Sequence, residues 1–213
     1  MAPGGGVTDT DTGALTVRIA APGDLDQVIG LLAAAYQGGD LAPWLVPGPG
    51  ERSRIYPGYF RILAEHALAR GKVDLIDDVA VAAWYALGEN PRIDIPDYDR
   101  RLAKAVGGRH LARFDALDSA MRFHHPAGQP HDYLAFLAVH PHRQGHGYGS
   151  LLLRRHLQGL DATGTPSYLV ATGIRNQTLF RRYSYVSRPP FSLDGDESPL
   201  VYPMLRDAYP APP

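Results

Sequence analysis

The stretch Tyr133-Leu-Ala-Phe-Leu-Ala-Val139 is apolar at every position. Three residues beyond it begins Arg143-Gln144-Gly145-His146-Gly147-Tyr148-Gly149-Ser150, a loop with three alternate glycines. A strand without polar alternation must be covered on both faces, so it belongs at the centre of a sheet flanked by helices. Glycines let the backbone turn tightly and bring its N–H groups close to a ligand. Leu152, Leu153, Leu157 and Leu160 then define a helix. Its first amides lack acceptors and sit at the positive end of the helix dipole. Strand, glycine loop and helix start together form a cradle for phosphate or pyrophosphate.

Periodicity arranges the rest of the chain around this unit. Leu15 to Ile19 alternate as a first strand. Asp24 as N-cap, with Gln27 three positions on, predicts a capping box, and Leu25, Val28, Ile29, Leu32 and Tyr36 share one helical face. A Pro/Gly loop from Pro43 to Gly50 leads to a second helix carrying Phe60, Leu63, Ala67 and Leu68. Residues 72–86 read as a hairpin turning at Asp77-Asp78. A short helix within 90–107 and a longer one over 108–123 follow, the latter with Leu111, Phe114, Leu117 and Met121 on one side. After the glycine loop come a strand at Tyr168–Thr172, a helix at Asn176–Arg182 and strands near 185–191 and 199–205. That order describes an α/β fold with a mixed sheet.

Composition narrows the function classes. With 21 basic against 22 acidic residues the formal charge is −1, which gives no electrostatic footprint for nucleic acid or an anionic membrane. The absence of cysteine excludes disulfide scaffolds, thiolate zinc sites and a cysteine nucleophile, and suits a reducing cytosol. His124-His125 and His140-x-His142 lack metal-ligand spacing, so no metal is expected. No apolar run approaches the ~18 residues of a spanning helix, and the N-terminus lacks the basic and apolar regions of a signal peptide. A soluble, cytoplasmic protein is expected, with polar tails at 1–13 and 208–213.

Other phosphate loops fit poorly. A P-loop needs G-x-x-x-x-G-K-[ST], and no lysine lies after Pro126. A dinucleotide fingerprint would place Ser150 at its third glycine and lacks an acid about 20 residues on. A nucleotide-binding module survives if the cradle takes something other than coenzyme A.

Gln144-x-x-Gly147-x-Gly149 after an apolar strand resembles the [QR]-x-x-G-x-[GA] pyrophosphate loop of the GNAT acyltransferase superfamily. Arg175-Asn176-Gln177-Thr178-Leu179-Phe180-Arg181-Arg182-Tyr183-Ser184-Tyr185 is similar to that family's R-N-x-x-L-Y-x-R-x-G-F segment. Pro130-His131-Asp132-Tyr133-Leu134 looks closest to actinobacterial members akin to puromycin acetyltransferase. The resemblance implies a single domain over 14–207 with a splayed mixed sheet flanked by helices on both faces. It also implies acetyl-CoA as cosubstrate and transfer of an acetyl group to a primary amine of a small molecule or peptide. Leu137, Ala138 and Val139 would hold the pantetheine and thioester, and Arg143, Gln144, Gly145, His146, Gly147, Tyr148, Gly149 and Ser150 the pyrophosphate. Asn176 and Phe180 would face the cofactor.

One departure stands out. Phe180 occupies the place of the tyrosine that usually protonates the departing thiolate, and phenylalanine cannot donate a proton. Tyr183 is a candidate substitute, and a non-catalytic, CoA-binding member is the alternative. Strand alternation puts His131, Tyr133, Ala135, Leu137 and Val139 on one face. Some relatives place a base or a water-holding residue at such a position, which points to His131 and Tyr133. The plainer alternative is that His131 caps the strand and Tyr133 packs in the core. No membrane or nucleic-acid partner is expected, and a homodimer is allowed.

Overall fold

The computed structural model describes residues 16–195 and 198–207. The expected tails at 1–13 and 208–213, and Leu15 of the first strand, lie outside the described residues. Strand β1 is confined to Arg18–Ile19, paired with Leu75 and Asp74. Helix α1 (Leu25–Ala35) starts after Asp24, but no capping box with Gln27 forms. Both oxygens of Asp24 accept from the Arg18 guanidinium at 2.7 Å, and Oδ2 also accepts the Ala21 N–H. These bonds hold the Asp24 carboxyl down at about 2.

The Pro/Gly loop is shorter than the sequence predicts. Leu41–Leu45 forms α2, and α3 (Pro49–Arg70) opens with Pro49, whose missing N–H costs nothing at a first helical position. The hairpin is β2 (Lys72–Ile76) and β3 (Ala80–Leu87). Helices α4 (Tyr98–Val106) and α5 (Gly108–Phe123) follow, then β4 (His131–Val139), α6 (Tyr148–Thr163), β5 (Ser167–Ala171) and α7 (Ile174–Arg181). The chain closes with β6 (Val186–Ser187), β7 (Phe191–Ser192) and β8 (Leu200–Arg206).

The sheet runs β1-β2-β3-β4-β5-β8-β6, with β7 also on β8, and is antiparallel except between β4 and β5. On one face α1 and α3 cover Val73, Leu75, Val81 and Ala83. On the other, the leucines of α6 cover Ile76, Ala80, Ala82 and Trp84. The mixed sheet between two helix layers is as the sequence predicts.

Two irregularities in β4 position the site. First, the register passes from Ala83↔Phe136 to Trp84↔Leu134, so Ala135 is an extra, bulged residue. A bulge reverses the alternation. Tyr133, Phe136 and Ala138 face α1 and α3, while Leu134, Leu137 and Val139 face α6. The single face expected for His131, Tyr133, Ala135, Leu137 and Val139 is therefore broken at Ala135. Second, β4 pairs with β5 only through Asp132, Tyr133 and Leu134. Beyond Leu169, β5 continues with β8 alone, so the two parallel strands splay into a wedge.

Candidate functional site

The wedge leaves backbone donors on the β4 edge. The His140 N–H donates to Val79 at 2.8 Å on the β3 side, and alternation then aims the Leu137 and Val139 N–H groups the opposite way, into the wedge. Pro141–Arg143 forms a 3-10 turn, and the Gln144 side-chain amide donates to the Val139 carbonyl at 3.2 Å, pinning the loop to the strand end. Gly145 (φ +83°) and Gly147 (φ +84°) adopt the left-handed conformation, and nothing lies within 4 Å of where a Cβ would project. Helix α6 begins at the next residue, so its free amides open onto this clearing.

Gly149 is buried, its Cβ position 3.6 Å from Val139 and 3.8 Å from Leu137, which brings the first turn of α6 beside the wedge edge. The loop from Pro141 to Gly147 is exposed. The Arg143 guanidinium has no hydrogen-bond or ion-pair partner among the described residues. His146 folds back, with Nδ1 3.0 Å from the Gln144 carbonyl. Leu137 and Val139 thus adjoin the first turn of α6 at Gly149, beside the exposed loop 143–147, while Ala138 is buried on the opposite face of the sheet.

Residues 99–183 match the acetyltransferase (GNAT) family model. A histone acetyltransferase HPA2-related protein from Corynebacterium glutamicum is 25% identical, with a TM-score of 0.67 over 92% of this chain and 97% of that one. A putative arylalkylamine N-acetyltransferase 7 of the yellow fever mosquito superposes with a TM-score of 0.58 at 14% identity, covering 90% and 86%. An agmatine N-acetyltransferase gives 0.50 at 16%, covering 90% and 98%. The fold is that of the GNAT acetyltransferases. The family match over residues 99–183 and the Corynebacterium neighbour make this chain similar to GNAT acetyltransferases.

Acetyl-CoA is the cosubstrate typical of GNAT proteins, and the residues fit it. The cradle is open, rich in free amides and flanked by Arg143, as a pyrophosphate requires. Among the described residues, no group of three or more His, Cys, Asp or Glu could hold a metal. No helix of the described residues is long and apolar enough to cross a membrane.

The proton-handling residues are placed less simply. Asn176 is exposed in the first turn of α7, its amide 3.4 Å from Thr172 Oγ1. The Gly173 before it lies against Asp40, whose Oδ2 would be 2.9 Å from a Cβ there. Phe180 is buried at 6% exposure against Tyr185 and offers packing alone. Tyr183 donates to the Ser150 carbonyl at 3.4 Å, in the first turn of α6.

His131 is buried with both ring nitrogens engaged. Nδ1 donates to the Gln129 carbonyl at 2.8 Å, which leaves Nε2 to accept from His125 Nε2 at 2.9 Å. Burial and the neighbouring His131 push His125 down to about 4. His131 also lies six residues from Leu137, roughly 20 Å along the strand. Tyr133 stacks on Tyr168 and meets the His125 ring edge-on. Neither side chain shares the face of Leu137 and Val139.

Tyr36 is the residue that sequence reasoning missed. It lies at the end of α1, edge-on to Phe136, with its hydroxyl oxygen accepting the Leu137 N–H. Burial pushes it up to about 12, against the effect of that amide. Asp118 of α5 lies on the same side of the sheet. It accepts the Tyr98 hydroxyl at 2.7 Å and is pushed up to about 6 by burial.

Proposed function

We propose that this chain is an acyl-CoA-dependent N-acetyltransferase acting on a primary amine of a small molecule or peptide in the cytoplasm. The observation that carries the reading is the closeness of the β4 edge at Leu137 and Val139, with its Val139 amide aimed into the wedge, to the Gly145–Gly147 cradle at the start of α6. When bound, acetyl-CoA supplies an acyl group activated as a thioester. The cradle and Arg143 hold the pyrophosphate, and the wedge admits the pantetheine arm between β4 and β5. An amide N–H on the β4 edge donates to the acyl oxygen and favours the charge that develops there.

Tyr36, with its hydroxyl at the Leu137 amide, is the side chain placed to hold or pass a proton at that point. It takes precedence over His131, whose nitrogens are occupied. The Pro130–Leu134 run supports kinship with puromycin-acetyltransferase-like members.

The test combines thiol release over a panel of primary amines with calorimetric titration of acetyl-CoA. Gly147→Asp sets a carboxylate in the cradle at a left-handed position. Acetyl-CoA affinity is expected to fall at least ~100-fold, about 2.7 kcal/mol. Unchanged affinity overturns the placement of the cofactor.

A second reading, binding without catalysis, is favoured by the buried, protonless Phe180 ring. Acetyl-CoA binding with no thiol release on any amine of the panel supports that reading.

A further inference from the structure

At the end of the sheet remote from the glycine loop lies a half-open cavity of about 410 Å³. Its walls come from the C-terminal turns of α3, the end of β3 and the segment 92–96. Leu87 pairs with His131 at one end of β4, and Ala80 with Val139 at the other. The cavity therefore stands about eight residues, or ~26 Å, from the cradle. From the Leu137 amide the far end of the cavity at Leu87 lies six residues of β4 away, roughly 20 Å, which is beyond the length of one small acceptor.

The lining is divided by chemistry. Leu87, Ile93 and Pro96 offer apolar surface, while Arg70 and Arg92 bring two guanidiniums. Neither guanidinium has a hydrogen-bond or ion-pair partner among the described residues. Asp94 contributes one opposing carboxylate, so the fixed charges sum to +1. The polar floor is locked by hydrogen bonds. His66 Nδ1 lies 2.9 Å from Tyr85 Oη, and the His66 ring also donates to the Asp94 backbone carbonyl. That donation must come from Nε2, so Nδ1 accepts and the Tyr85 hydroxyl donates to it. The lone pairs of Tyr85 and a neutral imidazole then add no charge to the cavity.

We propose that this cavity is a second ligand site, for a small organic carboxylate. Its carboxylate is taken by Arg70 and Arg92 and its apolar body lies against Leu87, Ile93 and Pro96. Guanidiniums match a carboxylate in two-point geometry. A net charge of +1 is neutralised by a monoanion, whereas a phosphate dianion would leave excess charge beside Asp94. The volume falls within the ~300–1,000 Å³ of small-molecule sites.

Calorimetric titration of benzoate into the full chain saturated with CoA tests the site. One benzoate per chain is expected, with a Kd on the order of 0.1–1 mM. Arg70→Ala and Arg92→Ala should each weaken it at least tenfold and leave acetyl-CoA affinity unchanged. Ile93→Ser should weaken benzoate and not inorganic phosphate. Absence of benzoate binding, equal affinity in the Arg70→Ala/Arg92→Ala double variant, or tighter binding of phosphate than of benzoate each overturns the proposal. The result is independent of acetyl transfer, because neither the titrant nor the variants touch the cradle.

Discussion

The two faces of the central sheet bury polar groups in opposite ways. Under α6 the buried groups are an imidazole and two carboxyls. His156 Nε2 donates to Asp132 at 2.7 Å, its Nδ1 is 3.6 Å from Asp74, and its ring stacks on Trp84 at 3.9 Å. Asp74 is completely buried. Burial pushes the His156 imidazole down, but the bonds to Asp132 and then Asp74 more than offset this and leave it raised. Under α1 and α3 the buried groups are hydroxyls. Tyr36, Tyr59 and Tyr133 are all pushed up by burial, so they stay protonated. The His156–Asp132 bond ties α6, and through it the cradle, to β4. A layer of protonated hydroxyls beside the Leu137 amide can exchange protons without first creating a buried charge.

The sharpest way to break this contrast is His156→Leu. The substitution removes the imidazole that donates to Asp132 and lies beside the buried Asp74, and a loss of about 3–5 kcal/mol is expected in denaturant unfolding. The pH dependence follows from the raised pKa of His156. Its contribution is complete below the ordinary value of 6.5 and disappears as pH rises through the higher folded value. The gap between wild type and variant should therefore narrow on the alkaline side. A cost below about 1 kcal/mol, or a gap that widens with pH, would show that the cluster is no anchor.

Tyr36→Phe probes the opposite face and should act on rate rather than stability. It removes the hydroxyl at the Leu137 amide and keeps the ring against Phe60 and Phe136. With acetyl-CoA affinity unchanged, kcat for thiol release is expected to fall roughly 10- to 100-fold. An unchanged kcat would move the chemistry off this face, towards Tyr183.

The same contrast explains what was legible in the sequence. The cradle is written in backbone terms, as glycines and Gln144 between an apolar strand and a helix, and it folds locally from about a dozen residues. The apolar length of β4 likewise announces its central place. The bulge does not, because Ala135 is as apolar as its neighbours and its unpaired state depends on the register with β3. That one residue reverses the face on which His131 and Tyr133 were expected to act. The engagement of His131 by His125, and of Asp24 by Arg18, joins residues separated by a turn or loop and leaves no periodic trace. Tyr36 reads as one more apolar-face residue of α1 until the helix is laid across Phe136.

The smallest expected effect separates a hydroxyl face from a charged one at Asp118, a carboxyl that burial raises. Burial raises it to about 6 from an ordinary value of 3.8, even though Tyr98 donates to it. The native state therefore prefers the protonated acid. The associated stability is present below about pH 3.8 and is lost as pH rises through about 6. Asp118→Asn keeps an oxygen that can accept from Tyr98 and removes the titrating charge. At pH 8 the variant should be more stable than wild type by about 1–2 kcal/mol, with the advantage fading as pH falls below about 4. Denaturant melts across that range read the difference directly. If the variant is instead the less stable protein at pH 8, Asp118 works as an engaged carboxylate. The face beneath α1 and α3 would then hold a charge of its own, and the contrast with His156 would fail.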